Sequence, residues 1–205
     1  MLPLAHLGFG LRLSRPFGRL PLRWLIAGCL LPDLIDKPLY YGLSAWTGLR
    51  GAELGLISCT RTFGHTGLFI GVLLSLALAL RGHPGRTGKV AALAVGMTTH
   101  LFLDAVSEKL APLHGRSAFR ESSTLLALTF PYYGRFGIQP FESAREHFLA
   151  HLKGFTLATE ILGAIFLSWE LWTRDRSREI LLEWRRRFRN VRDRRRDDPR
   201  QPRPR

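Results

Sequence analysis

Long uncharged runs separated by short basic segments set the pattern of this chain. Nineteen residues from Thr62 to Leu80 contain no Lys, Arg, Asp or Glu and end in GLFIGVLLSLALAL, which meets the length of a membrane-crossing helix. No polar stripe interrupts this run, as the core helix of a soluble bundle would require. A second run, Val90 to Leu103 (VAALAVGMTTHLFL), closes on His100 and Asp104. A third, GFTLATEILGAIFLSWELW at 154–172, reaches spanning length with Glu160 and Glu170 inside it.

The first forty residues read as a helical hairpin. Its arms run from Pro3 to Leu13 and from Leu22 to about Ile35, joined by a turn through SRPFGRLP. Arms of about twelve residues are roughly 18 Å long and cross only part of a bilayer. A cleavable signal peptide does not fit, because the arginines follow the first apolar segment and no small-x-small cleavage site is present. The pattern therefore predicts an all-α, multi-pass helical membrane bundle over residues 1–173. It has about four to five membrane-embedded helices, and the first two form a short hairpin. A basic amphipathic helix and a disordered end follow over 174–205.

Composition sharpens this division. The chain of 205 residues has 30 Lys and Arg against 16 Asp and Glu, a net charge of +14, while its mean hydropathy is +0.01. The last 32 residues hold 14 Arg and 6 acids, so most of the excess charge is a tail. There Ile180, Trp184, Phe188 and Val191 form an apolar stripe between arginines, suited to an anionic lipid surface. Membrane lipids are thus the expected partner, and a nucleic-acid arm is the weaker reading, since no recognition fold accompanies the arginines. Cys29 and Cys59, without a CxxC, exclude a zinc ribbon or disulfide scaffold.

The basic residues also order the topology. Four arginines in the turn at 12–23, the loop RGHPGRTGK at 81–89 and the tail fall on the cytoplasmic side by the positive-inside rule. Segments 37–61 and 105–153 then lie outside, although they carry nine basic residues of their own. This arrangement brings His6, Asp33, Asp36, His65, His100 and Asp104 to one membrane face, the outer one.

These six side chains are the candidate chemistry. His100 and Asp104 are four apart, and Asp33 and Asp36 in LLPDLIDKP are three apart, so each pair shares a helix face. Pro32 suggests that a helical turn begins beside the second pair. Carboxylates beside apolar runs are costly unless paired or metal-bound. A His/Asp set without thiolate suits a divalent metal, zinc first and Mn, Fe or Mg as alternatives, with one or two ions. Such an ion activates water for hydrolysis. Arg61, four residues before His65, is placed to hold a phosphate or carboxylate of a substrate, and Arg61 and Asp36 are the residues expected to act in catalysis. His147 and His151 share one face of an amphipathic helix, and LLALTFPYYGRFGIQPF suits an interfacial lid.

LLPDLIDKP, then RTFGHT, then GMTTHLFLDA, with a histidine near the N-terminus, resembles the membrane-bound metal-dependent hydrolase family, also described as LexA-binding, inner-membrane-associated hydrolases. The resemblance covers roughly residues 1–140. It implies a multi-pass inner-membrane protein with metal-dependent hydrolase activity and leaves the substrate unassigned; a small-molecule or lipid substrate, a lipid or phosphoester more concretely, is the expectation for this chain. It also implies that His6, Asp33, Asp36, His65, His100 and Asp104 occupy the family's polar positions. Two other classes stay open: a type 2 phosphatidic-acid-phosphatase-like enzyme, suggested by Gly64-His65 and the HxxxD pair, and a non-enzymatic membrane adaptor with a structural ion site.

Overall fold

The computed structural model describes residues 3–18, 20–54, 56, 60–110, 123–132, 143–152 and 154–174. These residues form α1 (Pro3–Leu13), α2 (Leu22–Thr47), α3 (Gly67–Ala79), α4 (Pro84–Leu110), α5 (Ser123–Leu128), α6 (Ala144–His151) and α7 (Gly154–Arg174). Short 3-10 turns occupy Arg15–Phe17 and Gly51–Leu54. No strand occurs among the described residues. The chain divides into two units, Met1–Leu167 and Ser168–Arg205. The amphipathic tail expected over 174–205 lies, beyond Arg174, outside the described residues.

The first arm of the hairpin is α1, with the expected bounds, but the second arm is far longer than sequence suggested. α2 runs for 26 residues, about 39 Å, straight through Pro32 and Pro38. Pro32 therefore does not begin a turn. It costs the helix one backbone hydrogen bond, the one to the Gly28 carbonyl, and puts Asp33 and Asp36 in mid-helix. The helix stops where Gly48 adopts a left-handed conformation (φ 72°) and its N–H donates to the Ser44 carbonyl.

The run at 62–80 also differs from expectation. Its helical part, α3, has 13 residues, about 20 Å, which is shorter than a bilayer core. The chain before it, Thr62–Thr66, is drawn into a loop by hydrogen bonds to Asp36. Thr66 then caps α3, accepting from the Phe69 N–H at 3.2 Å. Two described helices are long and apolar enough to cross a membrane, α4 with 27 residues and α7 with 21.

The core forms where α2 and α4 cross. A Cβ on Gly28 would fall 2.3 Å from the Leu93 carbonyl oxygen, and one on Gly96 would fall 2.5 Å from that of Leu25. Each helix thus supplies a glycine that lets the other's backbone approach, the contact that helices in lipid favour because dispersion and not water drives their packing. Leu11, Leu25 and Ala92 fill the space between α1, α2 and α4, and Leu73, Ala94, Met97 and Leu101 the space between α3 and α4. α3 is apolar all round yet buries only Leu73 and Ala77, so Leu68, Val72, Leu74, Leu76 and Leu78 stay exposed. A helix of that kind faces lipid or a partner rather than water.

Candidate metal centre

Asp36 organises the site. It is fully buried in mid-α2, and its two oxygens accept from the Thr62 N–H at 2.7 Å, the Thr62 hydroxyl at 2.7 Å, the Gly64 N–H at 2.8 Å and the His65 N–H at 3.2 Å. The fifth partner is the His65 ring, whose Nδ1 lies 2.6 Å from Oδ2. A carboxylate with this many donors only accepts, so Nδ1 carries a proton and Nε2 is the ring nitrogen turned toward Asp33 and Asp104.

His100 is oriented in the same way from a different source. Its Nδ1 lies 2.7 Å from the Cys29 carbonyl oxygen, which only accepts, so Nε2 is left bare. That carbonyl lies in the turn that Pro32 loosens. His100 Nε2 is buried and makes no hydrogen bond, and both ring nitrogens of His6 are in the same condition. The His6 ring stacks on His100 with centroids 3.7 Å apart and planes 14° from parallel. Buried imidazole nitrogens without partners are costly, and here they converge on carboxylates.

Asp104 completes the cluster from one turn beyond His100. Its Oδ2 lies 3.6 Å from His65 Nε2 and 3.8 Å from His100 Nε2, and its Oδ1 lies 3.4 Å from His6 Nε2. Asp33 Oδ1 is 3.9 Å from both His65 Nε2 and His100 Nε2, while its Oδ2 pairs with Lys37. Two three-residue groups result, His6–His100–Asp104 and Asp33–His65–His100, each with its ligand atoms within 4.8 Å of one another. Ligands bonded to a tetrahedral zinc at about 2.0–2.1 Å stand about 3.3–3.4 Å apart. The imidazole-to-carboxylate separations of 3.4–3.9 Å are slightly wider, so side-chain movements would close these groups on an ion.

The first 119 residues match the model of the YdjM inner membrane proteins. The chain belongs to the YdjM inner membrane protein family. No curated protein and no solved structure matches it. The matched segment includes α1 to α4, and every residue of the cluster lies in it.

The structure thus brings together all six residues singled out from sequence, but not in equivalent positions. His6, Asp33, His65, His100 and Asp104 point ligand atoms at one another, whereas Asp36 stands behind His65 with its oxygens occupied. Arg61, expected to await a substrate anion, is paired with Glu108 at 2.9 Å and Asp104 at 3.4 Å. Burial works against its charge, but Asp104 and Glu108 outweigh that and hold the guanidinium protonated. Glu108 in turn accepts from the Thr124 N–H and hydroxyl, at 3.1 and 2.9 Å, tying α5 to the site. Sequence reasoning missed Glu108, although it lies four residues after Asp104 on the same face of α4. It also missed the Cys29 carbonyl and Thr62, for which no side-chain pattern gives a signal. His147 and His151 fall in α6, and their side chains lie outside the described residues, as does the aromatic segment from residue 133 to 141.

Proposed function

We propose that this protein is a membrane-bound metal-dependent hydrolase whose centre holds one divalent cation among His6, Asp33, His65, His100 and Asp104. The observation that carries the reading is the convergence of buried imidazole nitrogens with no hydrogen bond on two carboxylates that share them. When bound, the cation supplies Lewis acidity, activating water and polarising the bond to be hydrolysed. Zinc suits this His/Asp donor set best, with Mn, Fe or Mg as alternatives. One ion is favoured over two because both three-residue groups need His100, which has only Nε2 to give once Nδ1 is bound to Cys29.

The remaining residues have supporting roles in this reading. Asp36 fixes the His65 ring, and Arg61 holds Asp104 while Glu108 holds Arg61. Both residues that sequence put in catalysis therefore act through a ligand. Leu34, Phe63 and Phe102 are exposed apolar side chains next in sequence to, or within a turn of, these ligands. They support an amphiphilic ester, a lipid or phosphoester, as the substrate.

The proposed topology is multi-pass with the basic segments and tail in the cytoplasm. His100 and Asp104 lie 16 and 20 residues along α4 from Pro84, about 24 and 30 Å. That distance from the basic loop favours a site near the outer face.

Elemental analysis of detergent-purified protein tests the reading. About one equivalent of metal in the wild type, lost in His100→Ala together with chelator-sensitive hydrolysis of a phosphoester lipid in mixed micelles, is the expected result. A folded wild type that neither carries nor takes up metal refutes it.

A further inference from the structure

α7 lies beyond the residues that match the family model, yet it carries a buried carboxylate, Glu160, only 6% exposed. A carboxylate inside a helix apolar enough to cross a membrane is costly and implies a task. Its Oε2 accepts a hydrogen bond from the Ala5 backbone N–H at 3.1 Å. That N–H belongs to the first turn of α1, where a helix leaves its donors without intrahelical partners. The negative charge also suits the positive end of the helix dipole.

The same crossing is held by backbone contact. A Cβ on Gly8 would fall 1.9 Å from the Gly163 carbonyl oxygen, and one on Gly163 would fall 2.4 Å from Ala5 Cα. α1 therefore cannot turn or slide against α7 without losing this contact and the Glu160 cap together.

His6 follows Ala5 directly, and it differs from the other two histidines of the centre. Asp36 holds the His65 ring and the Cys29 carbonyl holds that of His100, whereas neither ring nitrogen of His6 makes a hydrogen bond. Its ring is placed by stacking on His100, by the approach of Nε2 to Asp104 Oδ1 at 3.4 Å, and by the position of α1. We infer that Glu160 is the positioning residue for His6: by capping α1 at Ala5 against the Gly8–Gly163 contact, it sets how far the His6 ring reaches into the metal centre.

The inference rests on the metal-binding reading above, and one experiment separates the two. Full-length, detergent-purified protein is titrated with Co²⁺, reading the dissociation constant and the visible ligand-field absorption. The variants are Glu160→Ala, Glu160→Gln, His6→Ala and the double variant His6→Ala/Glu160→Ala. Loss of a residue that orients a ligand typically costs about 10–100-fold in affinity, and Glu160→Ala is expected in that range with a spectrum shifted to that of His6→Ala. The double variant should bind no more weakly than His6→Ala alone, because both changes remove one interaction. Glu160→Gln keeps an acceptor oxygen for the Ala5 N–H and should stay within about threefold of wild type. Should Glu160→Ala fail to fold, Glu160→Asp, shorter by one methylene, should show the same spectral shift. Wild-type affinity and spectrum in Glu160→Ala, or in Glu160→Asp where that variant stands in for it, or losses that add to those of His6→Ala, overturn this inference alone. A wild type that takes up no Co²⁺ overturns the metal reading, and the inference with it.

Discussion

Substituting Asp36 by Asn keeps the size of the side chain and removes its charge and one acceptor. The carboxylate meets five donors: Oδ1 accepts from Gly64 N–H and the Thr62 hydroxyl, and Oδ2 from Thr62 N–H, His65 N–H and the His65 ring. An amide must set its NH₂ against one of these groups. The Oδ1 position is the better choice, since the Thr62 hydroxyl can rotate to accept there and only the Gly64 N–H is left facing a donor. One orphaned buried donor costs about 1–3 kcal/mol of stability. The His65 ring keeps its tautomer against the amide oxygen but loses its anionic partner, and ion affinity should fall about 10–100-fold, or about 1.4–2.8 kcal/mol. Competition between the protein and a chromogenic chelator for Zn²⁺ measures the affinity, and thermal unfolding in detergent measures the stability. Asp33→Asn and Asp104→Asn, which remove proposed ligand atoms, should lose more affinity than Asp36→Asn. An Asp36→Asn loss equal to theirs would refute the placement of Asp36 behind His65 and make it a ligand; wild-type affinity would refute its role altogether.

Four further outcomes follow from the same geometry. Zn²⁺ affinity should weaken as pH falls, because the rings bind metal only when deprotonated, and at His65 the proton should compete with the ion already above the ordinary imidazole range, since burial opposes its charge but Asp104 and Asp36 outweigh that and raise its pKa; chelator competition across pH reads the slope, and a flat profile would argue against imidazole ligands. Gly96→Ala pushes a methyl into the backbone of α2 and should cost about 1–3 kcal/mol, lowering the thermal midpoint and the metal content together, since α2 and α4 both bear ligands. Arg61→Ala removes the cation between Asp104 and Glu108; with Arg61 partly exposed, a loss of about 1.5–3 kcal/mol in thermal stability is expected, and none would show the pairing to be idle. Accessibility reporters at Gly85 and Arg116 should lie on opposite sides of the membrane, and a shared side would break the proposed topology.

The helices were legible to different depths for physical reasons. α1, α7 and the middle of α4 were visible because an apolar run is a statement about solvent, and solvent decides where such a run lies; the start of α4 was not, since Pro84–Lys89 sits in a stretch that reads as a basic loop yet is helical. The end of α2 was not, because Pro32 and Pro38 signal helix breaks by local rules, while packing against α4 through Gly28 and Gly96 holds the helix through them. The start of α3 was misplaced for the opposite reason. Thr62–Thr66 is apolar enough to be helix, but five hydrogen bonds to one carboxylate draw it into a loop, and nothing local in RTFGHT reports a partner 26 residues away. The site residues were readable as a set because ionisable groups are rare in such runs. Their division of labour was not, since which carboxylate faces the ion and which faces backbone N–H groups depends on the loop's path.

Charge gives an independent reason to expect a divalent ion. The side chains tied into this cluster include four carboxylates, Asp33, Asp36, Asp104 and Glu108, against two cations, Lys37 and Arg61. These carboxylates meet His6, His65 and His100 in a region where the three rings are buried and water screens little. Removing ions from water costs several kcal/mol each unless partners restore what is lost, and α2 already contributes its charge pair through Lys37. A divalent cation at the imidazole nitrogens would supply positive charge where Asp33 and Asp104 both face the rings. The count of protons released as Zn²⁺ binds, measured by calorimetry in buffers of different ionisation enthalpy, distinguishes this from neutralisation by protonated histidines: compensation by imidazolium in the ion-free protein requires protons to leave as the ion enters, and permanently neutral rings require none.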